Sequence, residues 1–274
     1  MTSPTAAPVD LTNCDREPIH NLGAVQPIGF LIALTADWLI TRASANTEEF
    51  IGLAPSDLFG RPLQDLFTPK AAHDLRNRAT LLRGRDAVER LFDCVFIEGG
   101  QAFDAAIHFS GGQVIIEAEP ASGEHGDATG MVRSMISRLD QTADFASFYK
   151  EGARQVRALL GFDRVMVYRF AADGSGEVVA EAARSGIGAF LGLHYPASDI
   201  PAQARELYRR SLLRLITDVN AVPVRILPEK DESGQPLDLS LSVLRSVSPI
   251  HIEYLKNMGV GASLSNSIIG GGKL

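Results

Sequence analysis

The sequence predicts an α+β fold of two domains, each an antiparallel sheet flanked by helices. Two observations carry this. Up to Pro120, short apolar runs alternate with turns and a few helical stretches, for which the economical packing is an antiparallel sheet with helices on one side. After a glycine-rich polar stretch at 121–130, a long helical pattern opens a second series of strands.

Residues 1–17 are polar and irregular and are expected to begin as a disordered tail. Within 18–120, the runs at 28–34 and 38–43 read as a strand pair, and those at 91–97, 103–109 and 113–119 as strands separated by glycine-rich turns. Residues 46–51 and 69–76 are more helical. A linker is expected at 121–133, before a second domain at 134–274. There, Phe145, Phe148, Ala153, Val156, Leu159 and Leu160 keep helical spacing, so a helix runs over 142–160 and stops at Gly161. Strands follow at 164–170 and 177–182.

Next comes the stiffest stretch of the chain, Pro196-Ala-Ser-Asp-Ile-Pro201. Proline restricts its own φ and the residue before it, so Ser198, Asp199 and Ile200 have few conformations. Pro201 suits the start of the helix that Ala202–Arg210 favours. Asp199 is therefore held on a rigid turn before a helix. On spacing alone it could equally be an ordinary N-cap. A strand near 214–219 precedes a loop at 222–239 that contains Pro223, Pro228 and Pro236, and long loops in compact domains are often functional. A helix at 249–258 and a strand at 262–269 complete the pattern.

Composition bounds the function. With 45 % hydrophobic and 22 % charged residues, the 274-residue chain can bury a core and remain soluble. A net charge of −7 disfavours nucleic acid and anionic membrane as partners. No apolar run reaches the ~18 residues of a membrane span, and there is no secretory leader pattern, so a cytoplasmic protein is expected. The two cysteines, Cys14 and Cys94, make neither a disulfide framework nor a zinc site.

Four stretches carry a resemblance. They are Leu11-Thr-Asn-Cys-Asp-Arg-Glu-Pro-Ile-His20, Val165-Met-Val-Tyr-Arg-Phe170, the Asp199 turn, and Leu244-Arg-Ser-Val-Ser-Pro-Ile-His-Ile-Glu-Tyr-Leu-Lys-Asn-Met-Gly-Val260. In this order and spacing the chain, from about Leu11 to its last residue, resembles the photosensory core of bacterial phytochromes. The resemblance implies a PAS domain at 18–120 and a GAF chromophore-binding domain at 134–274, with the N-terminal tail threaded through a GAF loop to form a knot.

It also implies a bilin cofactor: a long, mostly apolar conjugated system with pyrrole N–H donors and two propionates. Burying it takes apolar walls, acceptors for nitrogen, and cations for carboxylates. The motif match puts the backbone carbonyl of Asp199 against the pyrrole nitrogens, between Ile200, Pro201 and the rest of the turn, with its carboxylate in the proton network. His251 stands beside the chromophore. Arg214 and Arg245, helped by Tyr208, clamp one propionate, since guanidinium forks match carboxylates, and Ser248 is a further cofactor-binding residue. Ser263 and Ser265 serve the other. Tyr168, Tyr195 and Tyr254 line the pocket of the rotating D ring. Cys14 is the covalent anchor, through thiolate addition to a vinyl group. Ile252 follows His251, so the anchor that plant and cyanobacterial relatives place there is missing, which makes biliverdin the implied bilin. Cys94, in an apolar strand, is expected to be an inert packed thiol.

There are two departures from the family pattern. Gln26-Pro-Ile-Gly29 stands where Gln-Pro-His-Gly is usual, and a later Cys-His-His segment and closing helix are absent after Leu274. A chain ending there is expected to hold bilin loosely. The implied function is red and far-red light sensing by D-ring isomerisation, signalling to an output module outside this sequence, a histidine kinase with its response regulator. A homodimer through the GAF helices is implied too. No nucleophile–base pair or kinase motif suggests that this chain is itself an enzyme. The alternatives are an engineered near-infrared fluorescent tag from the same core and a GAF module for a small metabolite.

Overall fold

The computed structural model describes residues 17–123, 128–271 and 274. The chain begins with β1 (Ala24–Val25), β2 (Phe30–Leu34), β3 (Ile40–Ser44), α1 (Thr47–Ile51), α2 (Pro55–Leu58) and α3 (Pro69–Leu81). Strands β4 (Val88–Val95), β5 (Ala102–Ser110) and β6 (Gln113–Pro120) follow. Next come α4 (Ala128–Leu139), α5 (Phe145–Leu160), β7 (Arg164–Phe170), β8 (Gly176–Ala183) and β9 (His194–Tyr195). The last elements are α6 (Ala202–Arg210), β10 (Leu213–Ile216), β11 (Val224–Leu227), α7 (Pro249–Asn257) and β12 (Ser263–Asn266). The described residues fall into two compact units, one from Met1–Gly123 and Gln203–Leu274, the other from Glu124–Ala202. Packing thus groups 203–274 with the first unit, whereas the sequence reading places them in a domain at 134–274.

The first unit is built on a seven-stranded antiparallel sheet of order β1-β11-β3-β2-β6-β5-β4. β2 is an unbroken apolar run, Phe-Leu-Ile-Ala-Leu, and all five residues are buried. The pattern is continuous because both faces of the sheet are covered. On one face Phe30, Ile32 and Leu34 meet Phe96, Phe103 and Ile116 together with Leu75 of α3. Phe30 and Phe103 lie edge to face, their centroids 5.3 Å apart, a favoured aromatic geometry. On the other face Leu31, Ala33 and Ile115 pack with Leu237, Leu239 and Leu244. The chain that covers this second face therefore comes from some two hundred residues away.

That long-range cover is fastened by polar groups. Buried Glu117 of β6 accepts from Ser242 Oγ at 2.6 Å and from the backbone N–H groups of Val243 and Leu244, both at 2.9 Å. Gly29 explains why the approach is so close, since a Cβ there would lie 2.2 Å from the Ala118 carbonyl oxygen and 3.0 Å from Leu244 Cδ1. The segment 222–239, expected as loop, contains β11. Its four residues, Val-Arg-Ile-Leu, are β-prone, and they become a strand because β1 and β3 offer backbone partners on both sides. Arg42 of β3 holds the next stretch by donating to the Gln235 carbonyl at 2.9 Å, with Asp231 at 3.4 Å.

The second unit pairs α5 with the three-stranded sheet β7-β8-β9. Asp144 caps α5 in a reciprocal capping box with Ser147, and Gly161 ends it in the left-handed conformation at φ 72°. Ala153 is buried, whereas Phe145, Phe148, Leu159 and Leu160 are exposed. Residues 128–133, read as linker, are the first turns of α4, which packs on α5 and exposes Met131, Val132 and Ile136. Gly130, Ser134 and the polar stretch before them hide this helix from a propensity reading. No helix among the described residues is long and apolar enough to cross a membrane.

Candidate functional site

Residues 17–26 run between β11 on one side and the 239–246 segment on the other. The Ile226 N–H donates to the Gly23 carbonyl at 2.9 Å, while Gln26 N–H donates to Leu244 O at 2.7 Å and Ser246 N–H to Ala24 O at 2.9 Å. The buried Gln26 amide adds a cross-link: its Nε2 donates to Leu215 O at 2.8 Å and its Oε1 accepts from Thr217 N–H at 3.1 Å. The tail is thereby tied to β10 and to the approach to α7, the two places that carry Arg214 and Arg245.

Those arginines stand together. Arg214 donates through Nη1 to the Arg245 carbonyl at 3.0 Å and through Nη2 to the Ser246 carbonyl at 3.1 Å. Arg245 Nη1 donates to the Ile19 carbonyl, and its buried Nε has no partner among the described residues. Neither guanidinium forms an ion pair among the described residues. Burial pulls the Arg214 pKa down to about 10. Burial, then the charge of Arg214, takes Arg245 to about 9. The Tyr208 hydroxyl is pushed up by burial, against the pull of both arginines. Two desolvated like charges held only by carbonyls are costly, and an incoming carboxylate would relieve them.

The rest of the site residues in this unit lie on β12, on α7 and just before α7. Ser265 lies directly opposite Arg214 across the β10–β12 ladder and Ser263 opposite Ile216, so both serines share the face of Arg214. His251 and Tyr254 of α7 stack with centroids 6.2 Å apart and planes at 11°. The His251 side chain keeps accessible area. Surrounding protein and then the Arg214 charge nevertheless pull its pKa down to about 4, as for a ring on a concave wall. Ser248 precedes α7 but makes no capping bond; its hydroxyl donates to Glu17 Oε2 at 2.5 Å.

The second unit holds the remaining predicted residues. The Tyr168 ring lies against Gly176, where a Cβ would be 2.1 Å from its Cε1. Tyr195 is paired with Gly176 across the β8–β9 ladder, which brings the two tyrosine rings to 6.0 Å. The Asp199 turn is closed by its own N–H donating to the Pro196 carbonyl at 3.1 Å. Asp199 is exposed, Ile200 and Pro201 are half-buried, and α6 starts at the next residue. Cys14, the expected anchor, lies outside the described residues. Cys94 is a free, buried thiol whose pKa burial raises to about 11.

The chain matches two family models, the PAS fold over residues 14–121 and the GAF domain over 144–274. The chromophore-binding domain of Stigmatella aurantiaca phytochrome P1 is 43 % identical, with a TM-score of 0.82; the match covers 95 % of this chain and 88 % of that one. The chromophore-binding domain of an unusual bacteriophytochrome from R. palustris is 41 % identical with a TM-score of 0.84, covering 95 % of this chain and 86 % of that one. The chain belongs to the bacteriophytochrome family. A bacteriophytochrome of Pseudomonas aeruginosa is 42 % identical over all of this chain, which spans 37 % of that protein's length. Three residues of this bacteriophytochrome core had no role in the sequence reading: Glu17, Gln26 and Gly176. Glu17 and Gln26 fall within or beside quoted motifs, but only the fold reveals what they touch.

Proposed function

We propose that this chain is a light-sensing module that takes biliverdin, attaches it through Cys14, and passes a red/far-red signal to an output module. The observation that carries the reading is the pair of half-buried Arg214 and buried Arg245, with no carboxylate among the described residues to neutralise it. A propionate fits that need: a bidentate acceptor that would use the unpartnered Arg245 Nε and lift both depressed pKa values. When bound, biliverdin supplies red absorption and isomerisation about its 15,16 double bond.

The chain's own residues have distinct tasks. Arg214 and Arg245, with Tyr208, orient one propionate, while Ser248 gives its hydroxyl to Glu17; Ser263 and Ser265 offer hydroxyls to the other. His251, neutral at pH 7, can accept or donate a proton at the pyrrole nitrogens. By motif, the Asp199 carbonyl receives those nitrogens, with Ile200 and Pro201 stiffening its turn. By the same match Tyr168, Tyr195 and Tyr254 border the D ring, and Gly176 leaves room for Tyr168. The tail between β11 and 239–246 supports the knot. The exposed apolar side chains of α4 and α5 support a homodimer through these helices. A cytoplasmic histidine kinase and its response regulator complete the reading, as the larger part of the relatives lies outside this chain.

Biliverdin and its dimethyl ester, which lacks the propionate charges, discriminate this reading. The free acid should give a red-absorbing band and a covalent adduct on a zinc-stained denaturing gel, the adduct vanishing in Cys14→Ser. The ester, and the free acid with Arg245→Met, should bind roughly tenfold or more weakly, the value of a charged hydrogen bond. Equal uptake of acid and ester, or no colour at all, would sink it.

A further inference from the structure

The tail is held at one further place, next to the residues that the resemblance assigns to the propionate. The Glu17 carboxylate accepts from Ser248 Oγ at 2.5 Å, and its backbone carbonyl accepts from Gln203 Nε2 of α6 at 3.1 Å. Two residues on, the Ile19 carbonyl takes the Arg245 guanidinium, and the His20 carbonyl accepts from Leu239 N–H at 2.9 Å. Three of the four residues 17–20 are therefore stapled, to α6, to the segment leading into α7, and to the 237–242 stretch. Of these contacts, Glu17–Ser248 joins two side chains and so depends on the identity of the tail residue. It also takes the hydroxyl of Ser248 away from the N-terminus of α7, where a serine before Pro249 would ordinarily cap.

Glu17 is three residues from Cys14, so chain geometry alone keeps their Cα atoms within about 11 Å. Resting on the bilin reading above, we infer that Glu17 is a positioning residue for the attachment step: its carboxylate, held by Ser248, fixes the point in the chain three residues from Cys14. The step itself is redox-neutral. Sulfur bonds to one vinyl carbon, the C=C π bond is lost, and the thiol proton ends on the neighbouring carbon. Without the Ser248 contact, Glu17 is no longer a fixed point and the addition at Cys14 slows. Non-covalent binding, which relies on the arginines, continues. Loss of effective concentration is a rate effect, separable from affinity.

The test follows two signals after biliverdin is added to the full chain: the red absorption band for pocket filling, and the zinc-stained band for the adduct. Glu17→Ala should colour as fully as wild type but form the adduct roughly fivefold or more slowly. Glu17→Gln keeps an acceptor oxygen for the Ser248 hydroxyl and should recover most of the rate. That rescue is something a merely destabilising change would not show. Adduct formation by Glu17→Ala at the wild-type rate overturns the inference. So does loss of colour in that variant, which would make Glu17 a binding residue. Failure of wild type to colour, or an adduct that survives Cys14→Ser, overturns the bilin reading itself and this inference with it.

Discussion

At the scale of single residues, several side chains matter for what they exclude or satisfy. Gly29 in Gln26-Pro-Ile-Gly29 is one. Its absent Cβ lets the Ala118 carbonyl and Leu244 approach β2 from two sides. Backbone carbonyl oxygen cannot swing away as a side chain can, so Gly29→Ala should lose about 1–3 kcal/mol of stability, read as a lower thermal midpoint. An unchanged midpoint would mean the strand shifts freely. Gln26, two positions before Ile28, spends its amide on both Leu215 and Thr217 and so ties the tail to the strand of Arg214. The departure from the usual Gln-Pro-His-Gly changes the residue between Pro27 and Gly29, while Gln26 and Gly29, which make these contacts, are retained.

At the scale of elements, strand β6 does the joining. Its outward alternation puts Val114, Ile116 and Ala118 into the core under α3, and Ile115 and Glu117 against the 237–244 cover. Removing the Glu117 carboxylate would strand two backbone donors and a buried hydroxyl. Glu117→Ala should therefore cost about 3 kcal/mol or more, and amide exchange at Leu244 should quicken along with it. Glu117→Gln, which keeps one acceptor, should fall between. Exchange that stays slow in the alanine variant would show that apolar packing alone seats the cover. Helix α5 is a contrasting case: its stop at Gly161 is legible, its start is Phe145 after the Asp144 cap where the sequence reading expects 142, and its apolar stripe is exposed at Phe145, Phe148, Leu159 and Leu160.

At the scale of the whole molecule, two histidines with lowered pKa values govern stability against pH. His108 is fully buried on the covered face of the sheet with no partner for either ring nitrogen among the described residues, and burial lowers its pKa in spite of nearby Glu117 and Asp238. His251 falls from 6.5 to about 4, through burial and then Arg214. A folded-state pKa below the unfolded one means the unfolded chain takes up the proton first. Stability should thus be complete above 6.5 and decline as pH falls toward about 4 for His251, with His108 acting in the same sense. Urea midpoints across that window check it, and His108→Leu should flatten the profile. A midpoint that rises on acidification would contradict the sign.

What the sequence determined by itself is local and chemical. Alternating apolar runs and glycine turns placed most of the longer strands and helices, because those signals act over a few residues; β1, α2, α4, β9 and β11 escaped them. Four motifs in order identified the family and, by resemblance, nominated the arginines, tyrosines, serines and histidine of the candidate site. The tertiary structure alone decided what needs partners far apart in the chain. β11 is a strand only because β1 and β3 flank it, and the continuous apolar β2 needs a second cover that 237–244 supplies. Glu117, Gln26 and Glu17 are ordinary polar residues in one dimension. They become fasteners only when folding brings a serine hydroxyl or backbone amide from more than a hundred residues away within hydrogen-bond reach.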